Sequence, residues 1–467
     1  MSTDPADLVK LLAELVGEDA AAAGDAVSDD YARDEALSVP PVRPAAVVWP
    51  STTEQVASVL RLADERRIPV TARGSGTGMS GAATPVPGGI VVSFERMDRI
   101  VEIDEDNFVA VVEPGVQLDE LDAELAARGL VYPVFPGEYS ASLGGNVATN
   151  AGGMRAVKYG VTRHHVLGVE AVLPSGEVIR SGGKIVKVST GYDLTQLVVG
   201  SEGTLALVTR AYLKLVPRLP HQATLLAPFP ALEAVTAAVP RIVASGVGPL
   251  VLEYIDMLTM AAATAHVGID LGIPDDVREH ALAYLVVALE STHADRLDAD
   301  TQSVAEQLSE LGAMDVYVLP AGAAAGLIDA REKAFWVAKA NGADEIIDAV
   351  VPRASVPGFM ARVGEIASEH GAWIAGCGHA GDGNVHMAVF QQDTGIRHRI
   401  MHELFAAATA LGGAISGEHG LGVEKKPYFL EIEDPAKIAL MRRLKAAFDP
   451  NGILNPGKIF DRDPGER

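Results

Sequence analysis

Two short segments near the C-terminal end of the chain carry side chains that could work together on a bound ligand. Gly378-His379-Ala-Gly-Asp-Gly-Asn-Val-His386 sets two histidines symmetrically about Asp382-Gly383, a dipeptide strongly associated with two-residue hairpins. In such a hairpin, positions 379 and 386 face each other with Cβ atoms about 5 Å apart, so both imidazoles can share one divalent ion. Two histidines at this spacing are, alone, more often structural. Ser416-Gly-Glu418-His419-Gly-Leu-Gly adds a carboxylate and a third histidine in a glycine-rich loop ill suited to core packing. Two histidines with one carboxylate leave coordination positions open, the arrangement of a catalytic metal site rather than a structural one.

A second chemistry lies upstream. Gly76-Thr-Gly78-Met-Ser-Gly81 fits the G-x-G-x-x-G spacing, but Ala82-Ala-Thr-Pro85-Val-Pro87-Gly88-Gly89 cannot continue as the helix a dinucleotide loop must open. A phosphate there must be held by bare backbone. Arg73 to Gly81 can present successive N–H groups and the hydroxyls of Ser75, Thr77 and Ser80, a nest suited to a diphosphate. Pro136 to Gly153 combines glycines that permit close approach with Ser142, Asn146, Thr149 and Asn150, which can bond a polar ligand. Two such segments about 60 residues apart point to one long cofactor.

The elements that must position these groups alternate between short β-rich runs and amphipathic helices, an α+β or α/β pattern. Residues 1 to about 40 form an acidic helical lead, with Leu8, Leu11, Leu12, Leu15 and Val16 at helical spacing. A capped helix is expected over Ser51 to Arg67 and a strand over Ile68 to Ala72. Glycine density falls after about Pro217. The boundaries read as a lead at 1–40, a cofactor domain at 41–218, a substrate (cap) domain carrying the metal site at 219–425, and a C-terminal segment at 426–467 returning to the first domain. A tail helix over Ala436 to Phe448 should stop at Asp449-Pro-Asn-Gly.

Composition excludes several function classes. The 467 residues are 48% hydrophobic and 21% charged, with 38 basic against 62 acidic side chains and a formal charge of −24, which disfavours nucleic acid and anionic lipid. Apolar runs fall short of the roughly 18 residues a membrane span needs. No secretory address is read at the start, so the expectation is a cytoplasmic protein, at most peripheral to the inner face of a membrane. One cysteine, Cys377, can neither close an intrachain disulfide nor hold an iron–sulfur cluster, which takes about four ligands.

With its motifs in view, the sequence resembles the FAD-binding family typified by vanillyl-alcohol oxidase and p-cresol methylhydroxylase. The matching segments are Arg73 to Gly81, Ser142-Leu-Gly-Gly-Asn-Val-Ala-Thr-Asn, and Gly200-Ser-Glu-Gly-Thr-Leu-Ala-Leu-Val; with the C-terminal motifs they cover about residues 40 to 460. The resemblance implies an α+β fold, a two-part FAD-binding domain plus an α+β substrate domain with an antiparallel sheet. By it, Arg73, Gly74, Ser75, Gly76, Thr77, Gly78, Met79 and Ser80 wrap the FAD pyrophosphate. Pro136, Gly137, Ser142, Leu143, Gly145, Asn146, Thr149, Asn150 and Gly152 pass near the isoalloxazine, and Glu202, Gly203 and Val208 contact the adenine side. Asn455, in Asn455-Pro-Gly-Lys458, returns toward the flavin. With no histidine or cysteine between Arg73 and Gly89, and His164-His165 read as ordinary polar positions, the FAD should be non-covalent.

The C-terminal motifs resemble the FAD-linked oxidase C-terminal domain of D-lactate dehydrogenase, D-2-hydroxyglutarate dehydrogenase and the flavin subunit of glycolate oxidase. That resemblance implies that His379, His386 and Glu418 hold a divalent metal, zinc before manganese or iron. It makes His419 the general base, puts Asn384 at the substrate, and makes Arg331 the clamp on its carboxylate. The implied reaction is metal-assisted deprotonation of a D-2-hydroxy acid with hydride transfer to flavin N5, giving the 2-oxo acid. No second basic group aligns for a distal carboxylate, which favours D-lactate or glycolate over D-2-hydroxyglutarate. Reduced flavin would need a separate acceptor: a quinone, a cytochrome, oxygen, or an electron-transfer or iron–sulfur protein. A homodimer is compatible with this reading. The rival functions are an electron-relay flavin subunit of a multi-subunit glycolate oxidase and a nicotinamide-dependent flavin reductase.

Overall fold

The structure is a computed structural model and describes residues 5–461. The helical lead begins as expected with Pro5–Val16, which buries Leu8, Leu12 and Val16. The chain then leaves the helix, and Ala21–Ala22 joins a sheet edge, so the rest of the lead is short turns and extended chain. Met1 to Asp4 lie outside the described residues.

The first sheet has four strands, in the order 21–22, 46–48, 90–93, 70–73, with the last three parallel. Parallel pairing requires a crossover, and the helix Thr53–Arg66 supplies it. Thr52 caps this helix by accepting from the Gln55 N–H at 3.2 Å, and Val56, Val59, Leu60 and Ala63 form its buried stripe. A second sheet of five antiparallel strands runs 100–104, 109–112, 207–214, 166–172, 178–182. Together these form a two-part domain. The segment 453–455 returns to it: Val70 bridges Leu454 in parallel, and the Asn455 N–H donates to Val70 O at 2.7 Å.

From His221 onward the chain builds a seven-stranded antiparallel sheet, in the order 317–319, 221–229, 283–291, 251–256, 373–379, 384–390, 345–350. Strand alternation sorts its two faces. Leu225, Phe229, Leu285, Val287, Val385, Met387 and Val389 pack under the helices Leu232–Ala244, Ala294–Glu310, Val356–Glu369 and Thr394–Ala410. The opposite face carries Leu226, Ile255, Tyr284, Val286 and Cys377 against the helices Met257–Val267 and Ala321–Glu332, and it is this face that holds the polar cluster. No helix among the described residues is long and apolar enough to cross a membrane.

Candidate functional site

The glycine loop after the strand Val70–Arg73 opens no helix, and residues 74–89 stay irregular, as the prolines require. Its backbone bends around its own domain. Gly76 has φ +77°, and a Cβ there would lie 1.8 Å from Arg73 Nη1, whose guanidinium sits beneath the loop and over the Tyr31 ring. Ser75 and Ser142 interlock the two glycine segments, the Ser142 N–H donating to Ser75 Oγ at 3.0 Å. The second segment becomes a short helix, Leu143–Thr149.

Between these segments runs a cleft of about 950 Å³ lined by Gly74, Ser75, Gly76, Thr77, Gly78, Met79, Pro136, Ser142, Gly145, Asn146, Thr149, Glu202 and Asn455. It continues into a recess of about 480 Å³ bounded by Arg73, Gly74, Gly145, Gly203 and Val208. The remaining cofactor candidates serve as frame. Ser80 donates its hydroxyl to the carbonyls of His419 and Gly420, and Leu143 is core. Asn150 ends the short helix at φ +56° and accepts from the Arg163 N–H. The Glu202 carboxylate accepts from the N–H groups of Leu421 and Gly422, tying the C-terminal loop to the cleft. Gly152 has no room for a side chain, since a Cβ would lie 2.6 Å from Glu418 Oε2.

A second cavity of about 890 Å³ opens on the seven-stranded sheet and is lined by Gly137, Arg331, His379, His386, Glu418 and His419, among others. Here the expected hairpin needs correction. The turn has four residues, Ala380 to Gly383, so His379 pairs with Asn384 and Cys377 with His386. The N–H groups of Asp382 and Gly383 both bond His379 O, and Asp382 Oδ1 accepts from the Asn384 N–H, which together hold the wider turn. Shifting the pairing by two positions preserves the face. The imidazoles therefore still meet, with ring centroids 4.7 Å apart.

Glu418 Oε1 lies 3.2 Å from His379 Nε2 and 3.1 Å from His386 Nε2. A tetrahedral zinc ion with bonds of about 2.0–2.1 Å spaces its donor atoms by roughly 3.3 Å, which the two contacts of Glu418 match, and all three donor atoms lie within 4.8 Å of one another. Glu418 Oε2 is buried without a partner. Burial opposes a proton on His379, but Glu253 and Glu418 outweigh it and raise the ring to about 10; the carboxylates that draw a proton would equally compensate a cation. A second triplet, Asp348, His386 and His419, shares His386. It fits less well, because Asp348 is already saturated with donors.

Two acids absent from the sequence reading organise the cluster. Glu253, 1% exposed, accepts from His379 Nδ1 at 2.6 Å and from Arg331 Nε at 2.8 Å, holding one ring and one guanidinium together. Arg331 Nη2 is left buried and unpartnered at the cavity. Asp348, fully buried, accepts from Lys425 Nζ at 3.0 Å, Ser416 Oγ at 2.7 Å, the His419 N–H at 2.9 Å and Asn384 Nδ2 at 2.9 Å. Burial opposes its ionisation, but these donors and the Lys425 charge hold it well below the usual carboxylate range. Asn384 donates its amide to Asp348 and Ala349 O. Each acid had one sequence signal, a carboxylate flanked on both sides by apolar residues, in Leu250-Val-Leu-Glu-Tyr-Ile and Ile346-Ile-Asp-Ala-Val.

His419 is 8% exposed at its side chain and stacks on His386 with ring centroids 5.1 Å apart. Burial pushes its pKa down to about 3, leaving a neutral imidazole. Glu418 and His419 line both cavities, so the cleft of the first domain and the pocket of the second meet at this dipeptide.

Comparison with known proteins agrees with this architecture. Residues 44–182 match the "FAD binding domain" family and residues 218–459 the "FAD linked oxidases, C-terminal domain" family. An uncharacterized FAD-linked oxidoreductase of Mycobacterium tuberculosis is 58% identical over 97% of this chain and 99% of its own. A D-lactate dehydrogenase of Archaeoglobus fulgidus is 39% identical over 92% and 96%. Among solved structures, p-cresol methylhydroxylase superposes with a TM-score of 0.78 at 20% identity, covering 97% of both chains, which shows the shared fold. Matched over more than half its length by one family and aligned with relatives along nearly all of it, the chain belongs to the FAD-linked oxidoreductases that join a p-cresol methylhydroxylase-type FAD-binding domain to an FAD-linked oxidase C-terminal domain.

Proposed function

We propose that the chain oxidises a D-2-hydroxy acid to the 2-oxo acid, using non-covalent FAD in the cleft and a divalent ion, zinc by its donor set, at His379, His386 and Glu418. The observation that carries this reading is the junction: the three ion-binding side chains, a neutral histidine and an unpartnered guanidinium nitrogen converge where the FAD cleft opens into the second cavity. When bound, the flavin supplies a two-electron acceptor, and the ion a Lewis acid that lowers the pKa of a substrate hydroxyl.

The side chains divide the remaining work. Arg331 Nη2 offers a charge-assisted hydrogen bond to a carboxylate, while Nε stays anchored to Glu253. His419, uncharged, is available to take the hydroxyl proton, and its backbone bond to Asp348 steadies the loop from which it acts. Glu253 orients the Nε2 face of His379 by holding Nδ1, as outer partners of metal-bound histidines do. Of the side chains lining the cleft, His419 is the sole histidine and none is cysteine; His164 and His165 bond nearby backbone instead, which favours non-covalent flavin. The D configuration follows relatives named D-lactate dehydrogenase.

The test is anaerobic bleaching of the flavin absorbance by 2-hydroxy acids in both enantiomers, with and without chelator. Rapid, D-selective, chelator-sensitive bleaching is expected. FAD-replete protein that no 2-hydroxy acid bleaches would overturn the reading.

A further inference from the structure

The groups assigned above occupy one end of the second cavity. Strand pairing sets Cys377, His386 and Asp348 side by side, and two positions along on the same face stand Ala375, Ala388 and Ile346. Two strand residues advance about 7 Å. Within that distance the wall changes from imidazole and carboxylate to two methyl groups and a branched alkyl chain, all three lining the cavity. The short helix Ala334–Ala340 covers this end with Phe335 and Trp336, whose rings meet edge to face at 5.2 Å. The alanines leave space and the aromatics roof it.

Charge is distributed to match. Apart from Arg331, no lysine or arginine lines this cavity among the described residues. Lys339, on the roofing helix, lies over the Phe335 and Trp336 rings and is paired with Glu35. Besides Glu418, two acids face the cavity, Glu138 and Glu332, the latter with one buried, unbonded oxygen. Arg155, near enough to act on Glu332, stacks on Phe135. A second carboxylate on the substrate would be stripped of water beside alkyl groups and acids with no cation to meet it.

We propose, resting on the reading above, that the substrates are 2-hydroxy monocarboxylic acids bearing an apolar side chain of several carbons. The carboxylate and hydroxyl meet Arg331 and the ion-binding residues, and the side chain lies over Ala375, Ala388 and Ile346 beneath Phe335 and Trp336. Lactate and glycolate leave this space unfilled.

The experiment is stopped-flow flavin reduction by the metal-replete holoenzyme with D-lactate, D-2-hydroxybutyrate, D-2-hydroxyisocaproate, D-3-phenyllactate and D-2-hydroxyglutarate. Each added apolar carbon should raise the second-order rate constant about fourfold until the space is full. D-2-Hydroxyglutarate should fall on the order of a hundredfold below D-2-hydroxyisocaproate. A flat series, or one led by lactate or by 2-hydroxyglutarate, overturns the proposal while leaving the reaction class standing. Failure of every acid to reduce the flavin overturns both. Ala388→Leu fills the space from the sheet side and should lower the isocaproate-to-lactate ratio by about tenfold or more; an unchanged ratio removes the assigned position of the side chain.

Discussion

The cleft proposed to hold FAD is walled largely by backbone and small polar residues, drawn from two glycine-rich stretches and the turn at Glu202-Gly203. The adjoining cavity is walled by side chains from three strands of one sheet, the helix carrying Arg331 and the loop 416–419. A backbone site depends on where glycine permits close approach, so one wrong Cβ damages it locally. A side-chain site depends on buried acids that bond several elements at once, so one wrong atom loosens the whole cluster. The loss should therefore be larger and less selective in the second cavity.

The strongest test of that contrast is Asp348→Asn. It leaves Lys425, 1% exposed at its side chain, with an uncompensated buried charge, and the change should cost about 3–5 kcal/mol of stability in thermal or denaturant unfolding. A loss below about 1 kcal/mol would mean the loop 416–419 is held by other bonds. Next is His419→Ala, which should keep FAD bound yet slow flavin reduction by about a hundredfold or more. Unchanged reduction kinetics would remove the base assignment.

Glu253→Gln keeps the shape but removes the charge shared by His379 and Arg331. Metal affinity, measured by competition with a chromophoric chelator, should fall about 10–100-fold, and KM should rise with it. Intact metal binding with a raised KM would assign Glu253 to Arg331 alone. On the cleft side, Gly74→Ala places a Cβ 1.8 Å from Ser142 Oγ. FAD retention should weaken about tenfold, while metal content stays at the wild-type level. Equal loss of both would erase the distinction between the two regions.

The smallest effect expected is a pH dependence. Burial raises Glu332 to about 8; Arg331 and Arg155 favour its ionisation, whereas Asp329 and Glu138 oppose it. Below that value it is neutral, and above it a negative charge appears beside an anionic substrate. KM should be flat up to about pH 8 and then climb a few-fold, and Glu332→Gln should flatten the climb. A KM that is constant across pH 7–9 in the wild-type protein would count against a Glu332 that faces the substrate.

Much of the molecule was legible from local pattern. The helix 53–66 was read as a capped helix over Ser51 to Arg67, with Thr52 supplying the cap, and the refusal of residues 82–89 to form a helix followed from two prolines. The tail helix Pro435–Phe448 ended, as read, at Asp449-Pro-Asn-Gly. Glycine density marked the cleft because close approach to a ligand is a property of individual residues.

Pairing and partners were not legible. Asp382-Gly383 signals a tight turn, yet the register was set by a four-residue connection that packs against the strand 345–350, where a Cβ on Gly383 would lie 2.0 Å from Val351 O. His379 and His386 still share a face because side chains alternate along a strand whatever the turn does, provided the shift is even. Glu253 and Asp348 stand 126 and 71 positions from the histidines whose ring or backbone N–H they bond, and no local spacing relates them. The linear chain was enough for residue types, periodicity and loop chemistry, which depend on near neighbours. Which acids would be buried against which histidines, and that Asn384 would face Asp348, was decided by the stacking order of seven strands, a property only of the folded sheet.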